Sequence, residues 1–311
     1  MRVRQATLVA IVSCAVMGIA ACTVVPPAPD ASARTPAPAP ASAAAATVST
    51  SEPAPAAFPQ GAFTLSGEMT QGGWLRGTAP VGTTALTLNG EPVPLAPDGQ
   101  FLAAFDRDSG PVATLMAERS DGSRITKPLA ISPRDWRIER INAARRSGGP
   151  SETFMKRRMP ELEAINASRA KVTDAQGWRQ DFIWPVKARI SGLFGSQRIY
   201  RGEPGSYHSG IDIAPGAGAA YVAPADGVVV LAVDDFSLEG KLLIIDHGMG
   251  LNSAFLHSQQ LFVKEGDHVK QGQRIGLVGS SGRATGPHLH WSLKWHEARL
   301  DPLLFTGPMA D

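Results

Sequence analysis

At 311 residues, with 43% hydrophobic and 19% charged side chains, the chain has the length of two ordinary domains plus tails and a globular composition. Lys and Arg total 30 against 28 Asp and Glu, and loss of residues 1–21 with Arg2 and Arg4 would leave 28 of each; with no basic cluster, nucleic acid is not an expected partner. The only cysteines are Cys14 and Cys22, so no disulfide can staple the body of the protein, which must be stable by core packing.

The chain opens with MRVRQATLVAIVSCAVMGIAAC, in which Arg2 and Arg4 precede an apolar run from Ala6 to Ala21. That run is short for a transmembrane span and reads as a secretory signal over residues 1–21. Its exit, Ile19-Ala20-Ala21-Cys22, resembles the lipobox of bacterial lipoproteins, which implies that Cys22 is lipidated and anchors the mature chain in a membrane. Thr23 is not the aspartate that often retains such proteins at the inner membrane. The expected location is therefore the periplasmic face of the outer membrane of a Gram-negative bacterium. Residues 22–60 are almost entirely Ala, Pro, Ser and Thr, cannot bury a core, and are expected to form an extended linker.

Residues 61–131 read as short strands, among them FTLSGEM, ALTLNG, QFLAAF and ATLMAE, separated by Gly, Pro, Asn and Asp. This spacing predicts a small antiparallel β-sandwich-like module without a cluster of chemically active residues. Over residues 132–180 a helical connector is expected. Between Ser151 and Gln176, Glu161 and Glu163 suit a helix start at Pro160, while Leu162, Ile165 and Val172 fall on one face. One helix, or two divided at Pro160, would link the modules.

Residues 181–305 return to β texture with many glycines, and residues 306–311 form a tail. Candidate strands are ARISGLF, HSGIDIA, GVVVLAV, KLLIIDH, LNSAFLH, QRIGLVG and LHWSLKW, several continuously apolar and so buried on both faces. Within them, YHSGIDIA offers His208 and Asp212, NSAFLHS offers His257, and GPHLHW offers His288 and His290. A strand sends residues i and i+2 to one face, so His288 and His290 would share a cavity. A catalytic zinc site takes three protein ligands and keeps a fourth position open; His208, Asp212 and His290 would fill the three, leaving His257 and His288 beside the opening. His247, His268 and His296 read as structural or solvent-facing.

HSGID, then AFLHS, then HLH, with the surrounding text IDIAPGAGAAYVAPADGVVV and VKEGDHVKQGQRIGLVGSSGRATGPHLHW, resembles the lysostaphin-type, or LytM-type, zinc metallo-endopeptidases of bacterial cell walls. The resemblance covers roughly residues 182 to 305. It implies a mainly β, glycine-rich antiparallel peptidase domain of duplicated hybrid, barrel-sandwich-like form, one Zn2+ per chain on His208, Asp212 and His290, and a catalytic pair, His257 and His288. It further implies hydrolysis of peptide cross-links or stem peptides of peptidoglycan, or, in the inactive relatives, activation of a cell-wall amidase. Phe255 stands where the family usually has tyrosine, and the loop around Asp235 to Gly240 departs from the shortest members; Tyr200 and Arg201 are the alternative source of polar contacts to substrate.

Overall fold

The computed structural model describes residues 61–144 and 150–309. Cys22, the signal segment, the linker and the last two residues of the tail lie outside that range. Among the described residues no helix is long and apolar enough to cross a membrane.

Seven strands open the described chain: β1 (Thr64–Glu68), β2 (Trp74–Thr78), β3 (Thr83–Leu88), β4 (Glu91–Pro92), β5 (Gln100–Ala104), β6 (Val112–Arg119) and β7 (Arg124–Ala130). They form two small antiparallel sheets, β1-β2-β5 and β4-β3-β6-β7. Alternation drives this: along β6, Ala113, Leu115 and Ala117 point inward while Val112 and Thr114 face solvent.

The stretch expected to be a helical connector holds a strand as well. β8 (Ile138–Ile141) runs parallel to β10 (Gln197–Tyr200), which also pairs with β11 (Glu203–Tyr207) once β9 (Ile190–Gly192) has passed. That pairing partner lies some sixty residues downstream, beyond what local periodicity can report. Helix α1 (Glu152–Arg169) is single, with Pro160 inside it and Ser151 capping it by accepting the Phe154 N–H at 3.2 Å. Its expected apolar face is only partly used. Val172 lies past the helix end and is 94% exposed, and the buried helical residues are Arg158, Glu161 and Ser168. The helix docks by ion pairs and by Ile165, which packs on Val230, Leu231, Leu242, Ile244 and Ala254.

The remaining strands are β12 (Ile211–Ile213), β13 (Ala220–Val222), β14 (Gly227–Phe236), β15 (Gly240–Gly248), β16 (Leu251–Leu261), β17 (His268–Val269), β18 (Arg274–Val278), β19 (Leu289–Trp295) and β20 (Ala298–Leu300), followed by the short helix α2 (Leu303–Thr306). They build a ten-stranded sheet in the order β17-β14-β15-β16-β19-β12-β9, with β13, β18 and β20 attached beside that path. The architecture is mainly β, as expected, but the sheets do not close into a barrel. One hydrophobic cluster runs from Leu75, Phe101 and Leu115 through to Ile211, Phe255 and Trp291, so the early sheets and the large sheet share a core. Polar ties reinforce the junction: the Trp74 indole N–H donates to Leu304 O at 2.8 Å, Arg107 donates to Gly195 O at 3.0 Å, and Arg134 pairs with Asp301 at 2.7 Å.

Candidate metal centre and groove

Strand register assembles the cluster. β12 and β19 run antiparallel with Asp212 directly opposite His290, and His208 precedes β12 on the incoming turn. His290 Nδ1 and His208 Nε2 approach Asp212 Oδ1 at 2.9 and 3.1 Å, and the two ring nitrogens stand 3.0 Å apart. On the far side Gly192 closes the pocket: a Cβ there would fall 2.3 Å from Asp212 Oδ2, so the strand can approach only as glycine. Sequence reasoning did not single out Gly192; the ISGLF stretch carried no signal of that contact.

The donor set suits a cation. His208 donates its Nδ1–H to Leu193 O at 3.1 Å, which turns Nε2 toward the carboxylate. Burial alone would raise Asp212, but hydrogen bonds from His208 and His290 outweigh it and hold the carboxyl far below the usual range. Burial would lower His208, yet the bond to Asp212 and its charge leave that ring raised, whereas the more deeply buried His290 is lowered. Two imidazole nitrogens and a carboxylate oxygen within 4.8 Å of one another need positive charge between them. A proton meets that need in part, and a divalent metal ion with nitrogen and oxygen ligands meets it fully.

His257 and His288 flank this cluster, with ring centroids 4.9 Å apart. His288 donates Nδ1–H to Gly286 O at 2.8 Å and brings Nε2 to 3.6 Å from Asp212. His257 donates Nδ1–H to Ser281 O at 2.8 Å. Both rings therefore carry a proton on Nδ1 and leave Nε2 as the basic nitrogen, which on His288 faces Asp212. Burial lowers His257, which favours its neutral form.

The backbone at His257 is unusual. Between the pairs Lys241↔Ser258 and Leu243↔Phe255, β16 carries one residue more than β15, a bulge, and His257 sits in it with φ +65°. A left-handed histidine costs on the order of 1–3 kcal/mol and persists only where its surroundings fix it. Here Glu239 O accepts the His257 N–H at 2.9 Å, and Gly240 presses so close to Ser281 that a Cβ would lie 2.3 Å away. Helix α1 grips this turn from outside: Arg158 binds both oxygens of Glu239 at 2.6 and 2.8 Å, and Glu161 accepts the Ser237 N–H at 2.7 Å. The loop at Asp235 to Gly240, which looked merely divergent in sequence, is thus the support of a site residue.

A groove of about 940 Å³ opens from His208 and Asp212 and is walled by Arg137, Tyr200, Tyr207 and Arg283. Tyr200 lines it, whereas Arg201 lies on the exposed turn between β10 and β11. Phe255 is fully buried and stacked between Tyr221 and Trp291, so it packs the sheet and touches no groove. His247 is buried and bonded to Asp226 O and to Ser253 Oγ, while His268 and His296 are exposed, as expected for structural or solvent-facing rings.

Residues 206–302 match the family described as Peptidase family M23. Over 133 residues the chain is 40% identical to the peptidoglycan DD-endopeptidase ShyA of Vibrio cholerae, a match covering 41% of this chain and 30% of that protein. It is 34% identical, also over 133 residues, to the murein hydrolase activator NlpD of Escherichia coli, covering 43% of this chain and 32% of the activator. The chain thus spans under a third of the length of either relative. Beyond the matched segment, the crystal structure of a putative M23 peptidase from Pseudomonas aeruginosa superposes with a TM-score of 0.60 at 26% identity, covering 78% of this chain and 96% of that one.

Proposed function

We propose, from the match of residues 206–302 to peptidase family M23, that the chain is a zinc-dependent endopeptidase acting on the peptide cross-links or stem peptides of peptidoglycan. The observation that carries this reading is the juxtaposition of the His208–Asp212–His290 cluster with two further histidines, His257 and His288, whose Nδ1–H groups are held by backbone carbonyls so that Nε2 is the basic nitrogen. In this reading His208, Asp212 and His290 hold one zinc per chain. Zinc supplies Lewis acidity, polarising the scissile carbonyl and making water acidic enough to attack near neutral pH.

The chain's own residues complete the chemistry. With no HExxH glutamate in the sequence, His257 and His288 share the proton work: one takes the proton from the attacking water, and the other donates to the carbonyl oxygen or to the departing amine. Backbone carbonyls at Ser281 and Gly286 keep both rings in the tautomer this needs. The groove between Tyr200 and Arg283 would orient an extended peptide across the cluster.

A second reading, a non-hydrolytic activator of a cell-wall amidase, is favoured by the likeness to the E. coli activator. Digestion of purified sacculi by the metal-loaded protein, with and without an added amidase, separates the two. New peptide-bond cleavage products without amidase support the peptidase; stimulation of amidase alone supports the activator. We place the mature protein on the periplasmic face of the outer membrane, anchored through a lipidated Cys22, on the strength of its Ile-Ala-Ala-Cys sequence. Cys22→Ala should then give unprocessed precursor without lipid label, and unchanged processing would overturn the anchor.

A further inference from the structure

A second cavity, of about 200 Å³, lies between α1 and β19, and its lining is unlike that of the groove. Four cations face it: Arg158, Arg169, Lys294 and Arg299. One carboxylate does, Glu239, and Arg158 occupies both of its oxygens. Lys294 has only Glu297, whose side chain is 97% exposed. Arg169 has no carboxylate partner among the described residues; it donates Nη1–H to the amide oxygen of Asn252 at 3.0 Å. Arg299 at the rim meets the Tyr207 ring, 5.4 Å from its centroid, and likewise has no ion-pair partner among the described residues. The hydroxyls of Ser209 and Ser292 also face the cavity and form no side-chain hydrogen bond among the described residues.

Arg169 is half-buried with no carboxylate partner among the described residues, a cost that is recovered when an anion enters. Burial, together with the charge of Arg299, pushes Arg169 down to about 10, the direction expected of a guanidinium awaiting a counter-charge. Position ties the cavity to the candidate centre. Ser209 follows His208 in sequence, and Ser292 and Lys294 stand two and four residues beyond His290 on the same strand face. At roughly 3.3 Å per residue the cavity begins about 7 Å from His290 along β19, the reach of two residues of an extended peptide.

We propose that this cavity is a carboxylate subsite, in which Arg169, Arg299 and Lys294, with the Ser209 and Ser292 hydroxyls, hold a carboxylate of an acidic peptide substrate about two residues from the bond to be cut. This rests on the peptidase reading for its placement of the substrate, but anion recognition is measurable without turnover. Calorimetry on the metal-loaded, full-length protein would compare a stem-type acidic tetrapeptide with its fully amidated counterpart, and would test whether inorganic phosphate competes.

The expected result is at least about tenfold tighter binding of the carboxylate form, the scale of a charge-assisted contact. Arg299→Gln and, separately, Arg169→Gln should erase that preference without changing metal content. Arg299→Gln, at the exposed rim, avoids the folding risk of the buried site. If the peptide is cleaved, both variants should raise KM with kcat unchanged. Preference that survives in both variants comes from the metal or the groove and overturns the subsite. Phosphate that binds the cavity without displacing the peptide also overturns it, marking a site for free anions. Should the parent protein cleave nothing while the preference and its loss in the variants stand, the peptidase reading fails and the subsite does not.

Discussion

The early sheets and the large sheet share one core, but they bury very different side chains. Between β1 and β7 the buried positions are almost all apolar, with Arg107 the one buried charge, and that arginine reaches across to Gly195 and the Tyr207 ring. The large sheet buries Asp246, His247, Asn252, Ser253, His257, Ser258, His290 and Ser292. Each such group costs free energy unless partnered. The contrast teaches that the early region is packed for cohesion, whereas the large sheet gives up cohesion to hold polar groups at set positions.

The contrast breaks most completely at His208. His208→Ala should abolish stoichiometric zinc binding and reduce peptide hydrolysis to background while circular dichroism stays that of the parent; retained tight zinc would show the ligand set to be wrong. His257→Ala should keep the metal but slow hydrolysis by about 10²–10⁴, or roughly 3–5 kcal/mol of barrier, read by paired metal analysis and sacculus digestion. Loss of metal in that variant would make His257 a ligand.

In the early region, Phe101→Ala should cost about 3–5 kcal/mol of stability. Because the core is continuous, denaturant unfolding should remain one transition at a lower midpoint, with metal content unchanged under native conditions. Two separated transitions would show that the regions unfold independently.

The smallest effect is a pH dependence confined to the large sheet. Burial, only partly offset by the bond to Asp226, pushes His247 down to about 4 from an ordinary 6.5. Above pH 6.5 the ring is neutral folded or unfolded, and its stabilising contribution is fully present. As pH falls toward 4 the unfolded chain takes a proton that the folded chain refuses, so stability drops, by roughly 3 kcal/mol in all. His247→Gln should flatten the dependence of the urea midpoint between pH 7 and 4.5 relative to the parent, and parallel curves would show that His247 does not titrate this way.

Much of this was legible in the chain itself. All seven strands read downstream of Phe182 exist, and the HxxxD, lone histidine and HxH stretches do converge: pairing of β12 with β19 sets Asp212 opposite His290 and alternation keeps His288 beside it, while His208 arrives on a turn and His257 from a bulge. What stayed hidden was non-local. The pairing of β8 with β10 and the hairpin from β10 to β11 depend on partners that periodicity does not name. The bulge at His257 depends on a count of residues in two strands at once, which only their pairing reveals. Helix α1 was read for an apolar stripe, yet it docks through Arg158 and Glu161, whose burial is intelligible only once Glu239 and Ser237 are opposite them.

That docking limits how the molecule can be divided. The stretch 206–302 that carries the family likeness is not a transplantable piece, since β9 with its Gly192 wall, β8, β10 and α1 all lie upstream of it. A fragment begun at residue 206 would leave Glu239 without Arg158 and uncover Val230, Leu231, Leu242, Ile244 and Ala254 beneath the missing Ile165. Such a fragment would carry every side chain of the candidate metal centre and still present a greasy sheet face to water, so it should clump before it could be assayed. Anyone grafting this histidine cluster onto another carrier would have to take the helix along.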